Sequence, residues 1–130
     1  MMIYTTDTHS LIWFLTRNPK LSSNALKAFR EADEGSSVII IPSIVVAELM
    51  YIAEYKDLSL KFKDLLSKIE ESKNYAVYNL DFEVLIETMN YKKLKDIHDK
   101  IIVATAVLNK SKLITSDGDV KKSGYVEVIW

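Results

Sequence analysis

Four carboxylates lie far apart in the chain, yet each stands in the same kind of place, at the edge of an apolar run or inside one. Asp7 closes Met2-Ile3-Tyr4-Thr5-Thr6, and Glu48 interrupts Ile44-Val45-Val46-Ala47 and Leu49-Met50-Tyr51-Ile52. Asp99 stands just before Ile101-Ile102-Val103-Ala104, and Asp117 comes just after Lys112-Leu113-Ile114-Thr115. A carboxylate beside a core loses hydration and stays ionised only with a cation or several donors nearby. Four such groups converging on one spot would repel one another unless a divalent metal ion sat among them. The pattern points to a hard-metal site, and so to phosphate chemistry.

The intervening sequence supplies elements that can bring them together. Residues 2–6, 38–41, 76–78, 113–115 and 126–129 read as strands, and the continuous apolar run Val38-Ile39-Ile40-Ile41 suits a strand covered on both faces. Helical patterns lie between them at 8–17, 22–34, 43–55, 58–73, 81–91 and 98–110, with Ser43 the expected N-cap after Pro42. Alternation of this kind predicts an α/β fold: a parallel twisted sheet of about five strands with helices on both faces. Ligands of such sheets bind outside the carboxyl ends of the strands, near a reversal of strand order. Asp7 and Asp117 fall on that rim. Glu48 lies in the helix after the second strand, and Asp99 opens the helix before the fourth, where negative charge is favoured. Each acid also has a plainer reading. Asp7 suits a helix cap, as do Asp99 or Asp96. Glu48 could be a satisfied buried acid, and Ser116-Asp117-Gly118-Asp119 is good turn sequence. It is the four together that favour a site.

Bulk properties set the limits. A chain of 130 residues, 48% hydrophobic and 27% charged, is expected to form a single globular domain over residues 1–130. The net charge of −1 gives no overall attraction for nucleic acid, so any such contact must be local. One local candidate is visible: residues 91–122 hold eight lysines (92, 93, 95, 100, 110, 112, 121 and 122) against four acids. The absence of cysteine excludes disulfides, thiolate zinc and a cysteine nucleophile. Single glycines at 35, 118 and 124 exclude a glycine-rich phosphate loop. No apolar run approaches the ~20 residues of a membrane span, and no export segment precedes Asp7. A cytoplasmic location is expected.

The motifs resemble the PIN-domain nucleases, and specifically the VapC-type toxins of prokaryotic toxin–antitoxin pairs. Ile3-Tyr4-Thr5-Thr6-Asp7-Thr8-His9-Ser10-Leu11-Ile12-Trp13 is similar to the family's first strand, Asp-Thr and helix start. Ser43-Ile44-Val45-Val46-Ala47-Glu48-Leu49 resembles its helix with a single glutamate. Ile97-His98-Asp99-Lys100-Ile101-Ile102-Val103-Ala104-Thr105-Ala106 resembles its most telling segment, and Leu113-Ile114-Thr115-Ser116-Asp117 its Thr-x-Asp strand end. The four blocks occur in family order across nearly the whole chain. Two departures are mild: Thr6 replaces a commoner aliphatic residue, and Lys100 replaces a commoner Arg, a less geometric clamp for phosphate.

The resemblance implies an endoribonuclease dependent on Mg²⁺ or Mn²⁺, with one or two ions held by Asp7, Glu48, Asp99 and Asp117. Thr8 and Thr115 would orient those ligands, Asp119 would stand behind them, and Lys100 would meet the RNA backbone. It implies RNA as substrate, a cognate antitoxin as partner and a homodimer. The antitoxin would lay an amphipathic segment into a groove between the apolar sides of helices 43–55 and 58–73, marked by Tyr51, Tyr55, Leu58, Phe62, Leu65, Leu66 and Ile69; the plainer reading is that these side chains fill the core. The alternative is a catalytically weak PIN-like module for RNA binding or assembly. Other phosphate enzymes fit less well: His9 stands where an Asp-x-Asp nucleophile pair needs its second acid, and Trp130 where a receiver domain needs a lysine loop. The excess of carboxylates over His9 and His98 favours Mg²⁺ or Mn²⁺ over zinc.

Overall fold

The apolar runs pair as strands that are most deeply buried at the centre of the sheet, at Thr5, Ile39, Ile41, Leu113 and Ile114, and least at its edges, where Val77 is exposed. A computed structural model describes all of residues 1–130. Its strands are β1 (Met2–Thr6), β2 (Ser37–Pro42), β3 (Tyr75–Tyr78), β4 (Lys112–Ile114) and β5 (Val128–Ile129). They form one sheet in the order β3-β2-β1-β4-β5, every neighbouring pair parallel. The helices are α1 (Thr8–Leu15), α2 (Ser23–Asp33), α3 (Ser43–Lys56), α4 (Ser59–Glu71), α5 (Phe82–Glu87), α6 (Ile97–Leu108) and α7 (Gly118–Ser123), with a 3-10 turn at Thr88–Asn90. The chain winds outward from β1 to β3 and then returns to place β4 on the other side of β1. That reversal makes the β1–β4 junction the switch point of the sheet.

Right-handed crossovers put α1–α4 and α5–α6 on opposite faces. Leu11, Phe29, Ile39, Ile41, Leu65, Leu113 and Ile114 are completely buried between these layers. In α6, Ile101 through Ala106 are all buried, which requires neighbours on every side of the helix. Val38 and Ile40 are only half-buried, so the covering of β2 is less even than its apolar run predicts.

Two local expectations are corrected. Ser43 does not cap α3: Pro42 holds the N-cap position without a side-chain bond, and the Ser43 hydroxyl accepts from the Leu80 amide at 2.9 Å instead. Residues after Ser116 form a helix, α7, rather than a turn, because Asp117 caps it by accepting from the Val120 amide at 2.9 Å. Gly124, at φ 72°, ends it in the left-handed conformation that glycine adopts without strain. The residues expected to line a groove between α3 and α4 divide between core and surface, Leu66 being exposed with Tyr51 and Tyr55. Val45, Leu49, Ala53 and Leu65 are buried, and Phe62 and Ile69 pack against the core. Tyr51 and Tyr55 stand outside at 62% and 72% exposure, their ring centres 4.7 Å apart. No helix is long and apolar enough to cross a membrane.

Candidate functional site

At the switch point the first candidate acid is fixed by its own helix. Asp7 follows β1 and caps α1: its Oδ1 accepts from the Ser10 amide at 2.9 Å. Its Oδ2 accepts from the Thr115 hydroxyl, at the end of β4, at 2.6 Å. Thr115 also accepts from the Asp117 amide at 3.1 Å, so one buried hydroxyl sets the spacing between the two rim acids. Their strands are stitched together there, the Asp7 amide donating to the Ile114 carbonyl at 3.2 Å. Thr8 opens α1 and donates to Glu48 Oε1 at 3.1 Å, which pins the α3 glutamate to the same rim. Thr6 costs the fold little, since its buried hydroxyl is satisfied by the Asp7 carbonyl at 2.9 Å.

Asp7, Glu48, Asp99 and Asp117 all line one cleft of 460 Å³. Asp96 joins them there, so five carboxylates share the space, and no Lys or Arg lines it. Asp96 rather than Asp99 caps α6, accepting from the His98 amide at 2.7 Å and the Asp99 amide at 3.2 Å. Asp99 is thereby released from capping, and its carboxyl is pushed up to about 6. Burial is the largest cause, followed by the negative charges of Asp117, Asp96, Asp7 and Asp119. The carboxylates line the cleft without closing on a point: no three acid or histidine side chains are gathered in an arrangement that would hold an ion.

Two other expected residues stand apart. Lys100, half-buried in the first turn of α6, does not line the cleft, and Asp119 is exposed and lines a neighbouring one. Conversely, His9, Trp13, His98 and Ser116 line the acidic cleft. The His9 and Trp13 rings lie 5.8 Å apart, and Trp130 lies 5.9 Å beyond Trp13. The available signal for Trp13 was its spacing of four from His9 on the helix that Asp7 begins, which places both on one side.

The family model of the PIN domain matches residues 4–124, nearly the whole chain. The chain belongs to the PIN-domain family. Solved structures similar to it include a VapC toxin and VapBC complexes, although identity is low and the likeness is one of fold. VapBC2 from Rickettsia felis, solved bound to a promoter DNA fragment, aligns at TM-score 0.72 and 17% identity, over 98% of this chain and 97% of that one. A Mycobacterium tuberculosis toxin that cleaves the sarcin–ricin loop, VapC20, aligns at TM-score 0.70 and 14% identity, over 98% and 99%. A toxin–antitoxin complex from Klebsiella pneumoniae aligns at TM-score 0.66 and 23% identity, over 97% and 95%. Comparison with curated proteins gives no significant match. In this PIN domain, then, the five-stranded parallel sheet carries its acids at the switch point, and the fold and family expected from the four sequence blocks are the ones found.

Proposed function

We propose that this PIN domain is a metal-dependent endoribonuclease acting as the toxin of a toxin–antitoxin pair. The observation that carries the reading is the acidic cleft: four carboxylates from four segments, with no lysine or arginine beside them to balance the charge. The donor set suits Mg²⁺ or Mn²⁺, because all-oxygen ligands with surplus negative charge match a hard cation. Asp7, Glu48, Asp99 and Asp117 would hold it. Lone pairs remain for this purpose, since Glu48 and Asp117 each commit a single oxygen to the protein's own donors. Closing on an ion requires side-chain rotation from the arrangement described, for which the open cleft leaves room.

A bound divalent ion supplies Lewis acidity to a phosphate oxygen and acidity to an attacking water. The chain supplies position. Thr115 holds Asp7 and Asp117 at a fixed separation, Thr8 steers Glu48, and Asp99 must lose its proton before it can ligate. His9 and Trp13 wall the cleft with aromatic surface against which a base could stack.

Partners follow from the same frame. A cleft of 610 Å³ between α1–α2 and α4 contains Trp13, which it shares with the acidic cleft, together with Phe14, Leu21 and Leu26. That continuity suits an antitoxin segment that lies along the larger cleft and reaches a basic side chain toward the acids. On α5 and the 3-10 turn that follows it, Phe82, Ile86 and Met89 form an exposed apolar face at helical spacing, of the kind a homodimer covers.

The test is cleavage of a mixed RNA pool. Mg²⁺ or Mn²⁺ should support cleavage and raise the thermal midpoint by binding the folded state, EDTA should silence it, and Asp7→Asn should abolish it. Full activity in exhaustively chelated protein would end the metal reading. RNA binding without cleavage in the presence of either ion would leave only an assembly or binding module.

A further inference from the structure

The lysines of residues 91–122 crowd one stretch of the sequence, but the fold divides them. Lys110 and Lys112 precede or begin β4 and so lie at the amino end of the sheet, away from the acids, where Lys112 pairs with Glu127 at 3.4 Å. Lys93, Lys95 and Lys122 come together instead at the carboxyl end, lining a cleft of 270 Å³ with Asp119 and Ser123.

This cleft adjoins the acidic one. Lys95 lines the first and its neighbour Asp96 the second; Asp119 lines the first and Asp117, two residues earlier, the second. The two clefts are therefore neighbours of opposite charge, joined through two short pieces of backbone. The lysines are free to act on something external, since the three ion pairs of the molecule use Lys68, His98 and Lys112.

Their backbone is held in advance of any ligand. Tyr91 and Leu94 are buried on either side of Lys92 and Lys93, which turns the lysines outward. The Lys93 amide donates to the Tyr125 hydroxyl at 3.1 Å, its ammonium lies 5.7 Å from the Tyr125 ring centre, and Tyr91 meets Tyr125 edge-on at 5.0 Å. Lys122 is presented by α7, the helix that Asp117 caps and buried Val120 anchors.

Resting on the nuclease reading, we infer that Lys93, Lys95 and Lys122 form the subsite that grips the phosphodiester backbone of the RNA strand next to the bond being cut. The physical need is plain. A polyanion gains nothing from a protein of net charge −1 and is repelled by five carboxylates, so it must be held by local positive charge before it can enter the cleft. The lysine cleft is the one beside the acids that offers this, and lysines act there as point charges that position phosphate without reading sequence. It acts in the place where Lys100 was expected to act.

The test compares Lys93→Ala/Lys95→Ala/Lys122→Ala with the parent, using a labelled single-stranded oligoribonucleotide. Anisotropy in EDTA reads binding without cleavage. The triple variant should bind at least about tenfold more weakly, and its slope of log affinity against log salt should be shallower by about 2, from ~0.7 for each of three phosphate contacts. In Mg²⁺ it should raise KM while leaving kcat within about twofold, because the acids are untouched. The matching Lys→Arg triple should restore binding. Lys110→Ala/Lys112→Ala, at the other end of the sheet, should bind as the parent does. Unaltered binding and salt slope in the triple variant, an equal loss in the Lys110/Lys112 variant, or no RNA binding by the parent would each overturn the subsite. Capture of poly-glutamate that depends on these lysines while RNA binding does not would also overturn it, assigning the cleft to an acidic protein. RNA binding that depends on the lysines, without cleavage by the parent, would uphold the subsite and refute the nuclease.

Discussion

The two ends of the sheet use charge in opposite ways. At the amino end, two ion pairs join neighbouring segments. Lys68 meets Asp33 at 2.8 Å, the same carboxylate accepts from the Tyr75 hydroxyl at 2.7 Å, and Lys112 meets Glu127. Burial there, together with the Asp33 carboxylate, pushes the Tyr75 phenol well above its ordinary range, so it remains a donor at any working pH. At the carboxyl end, charges are sorted instead: five acids in one cleft and three lysines in the next. The single ion pair there joins Asp96 to His98 at 3.5 Å, and it requires a protonated imidazole. Pairing satisfies a fold. Segregation leaves like charges unrelieved, and on the proposed function a cation and a polyanion would relieve them at the carboxyl end.

The strongest way to break this comparison is to remove one of the sorted charges. Asp99→Asn should lower cleavage by more than about a hundredfold, beyond what losing a supporting contact costs. The metal-free protein should be as stable as the parent or more so, because like-charge repulsion is relieved. Asp117→Asn should behave the same way, asparagine being an equally good cap for α7. Chemical denaturation of both chelated variants checks this; a large loss of stability in both would mean that the ionised acids support the fold rather than strain it.

A smaller effect should follow from the hydroxyl between the acids. Thr115→Val keeps the shape of the side chain but frees Asp7 Oδ2 and the Asp117 amide. Cleavage should fall by about ten- to a hundredfold, with about 1 kcal/mol lost from the fold for each bond. Retention of full activity would show that the rim acids need no spacer.

The acid cleft should also write itself into the pH dependence of metal-free stability. Asp99 binds its proton more tightly folded than unfolded, since its carboxyl rises from 3.8 to about 6. Between those values the folded state carries more protons, so stability falls as pH rises through that window and is flat above it. Asp99→Asn should flatten this part of the curve, as equilibrium denaturation at several pH values would show. In the same window, metal affinity should rise with pH as the carboxylate becomes free to ligate.

The least effect is expected at the paired end. Lys112→Ala breaks one half-exposed pair and should cost under about 1 kcal/mol. RNA cleavage should be unchanged. A marked loss of activity would show that the amino end also touches substrate.

Much of this architecture can be read along the chain. The strand at 2–6, the helices at 22–34 and 98–110 and the apolar β2 run are locally encoded, by period and by capping residues such as Ser22 and Asp96. The hidden parts are those whose partners are distant in sequence. Ser43 looks like a cap, yet its hydroxyl serves Leu80, thirty-seven residues away. The helix α7 is too short for any periodicity, and its cap doubles as a candidate ligand, so turn and helix read alike. The covering of the apolar stripe of α4 is also hidden, because no pattern in one helix reveals how much of it a neighbour covers.

Residue type and order alone determined the α/β class and the family and singled out four candidate acids, because strand period, helix period and acid placement are properties of short segments. Tertiary structure alone decided which charges are neighbours. It set Thr115 between Asp7 and Asp117, freed Asp99 by giving the cap to Asp96, divided one run of lysines between two ends of the sheet, and brought Trp13 to the cleft. Electrostatic interaction depends on distance through space and on burial, and both are set by the winding of β4 back beside β1.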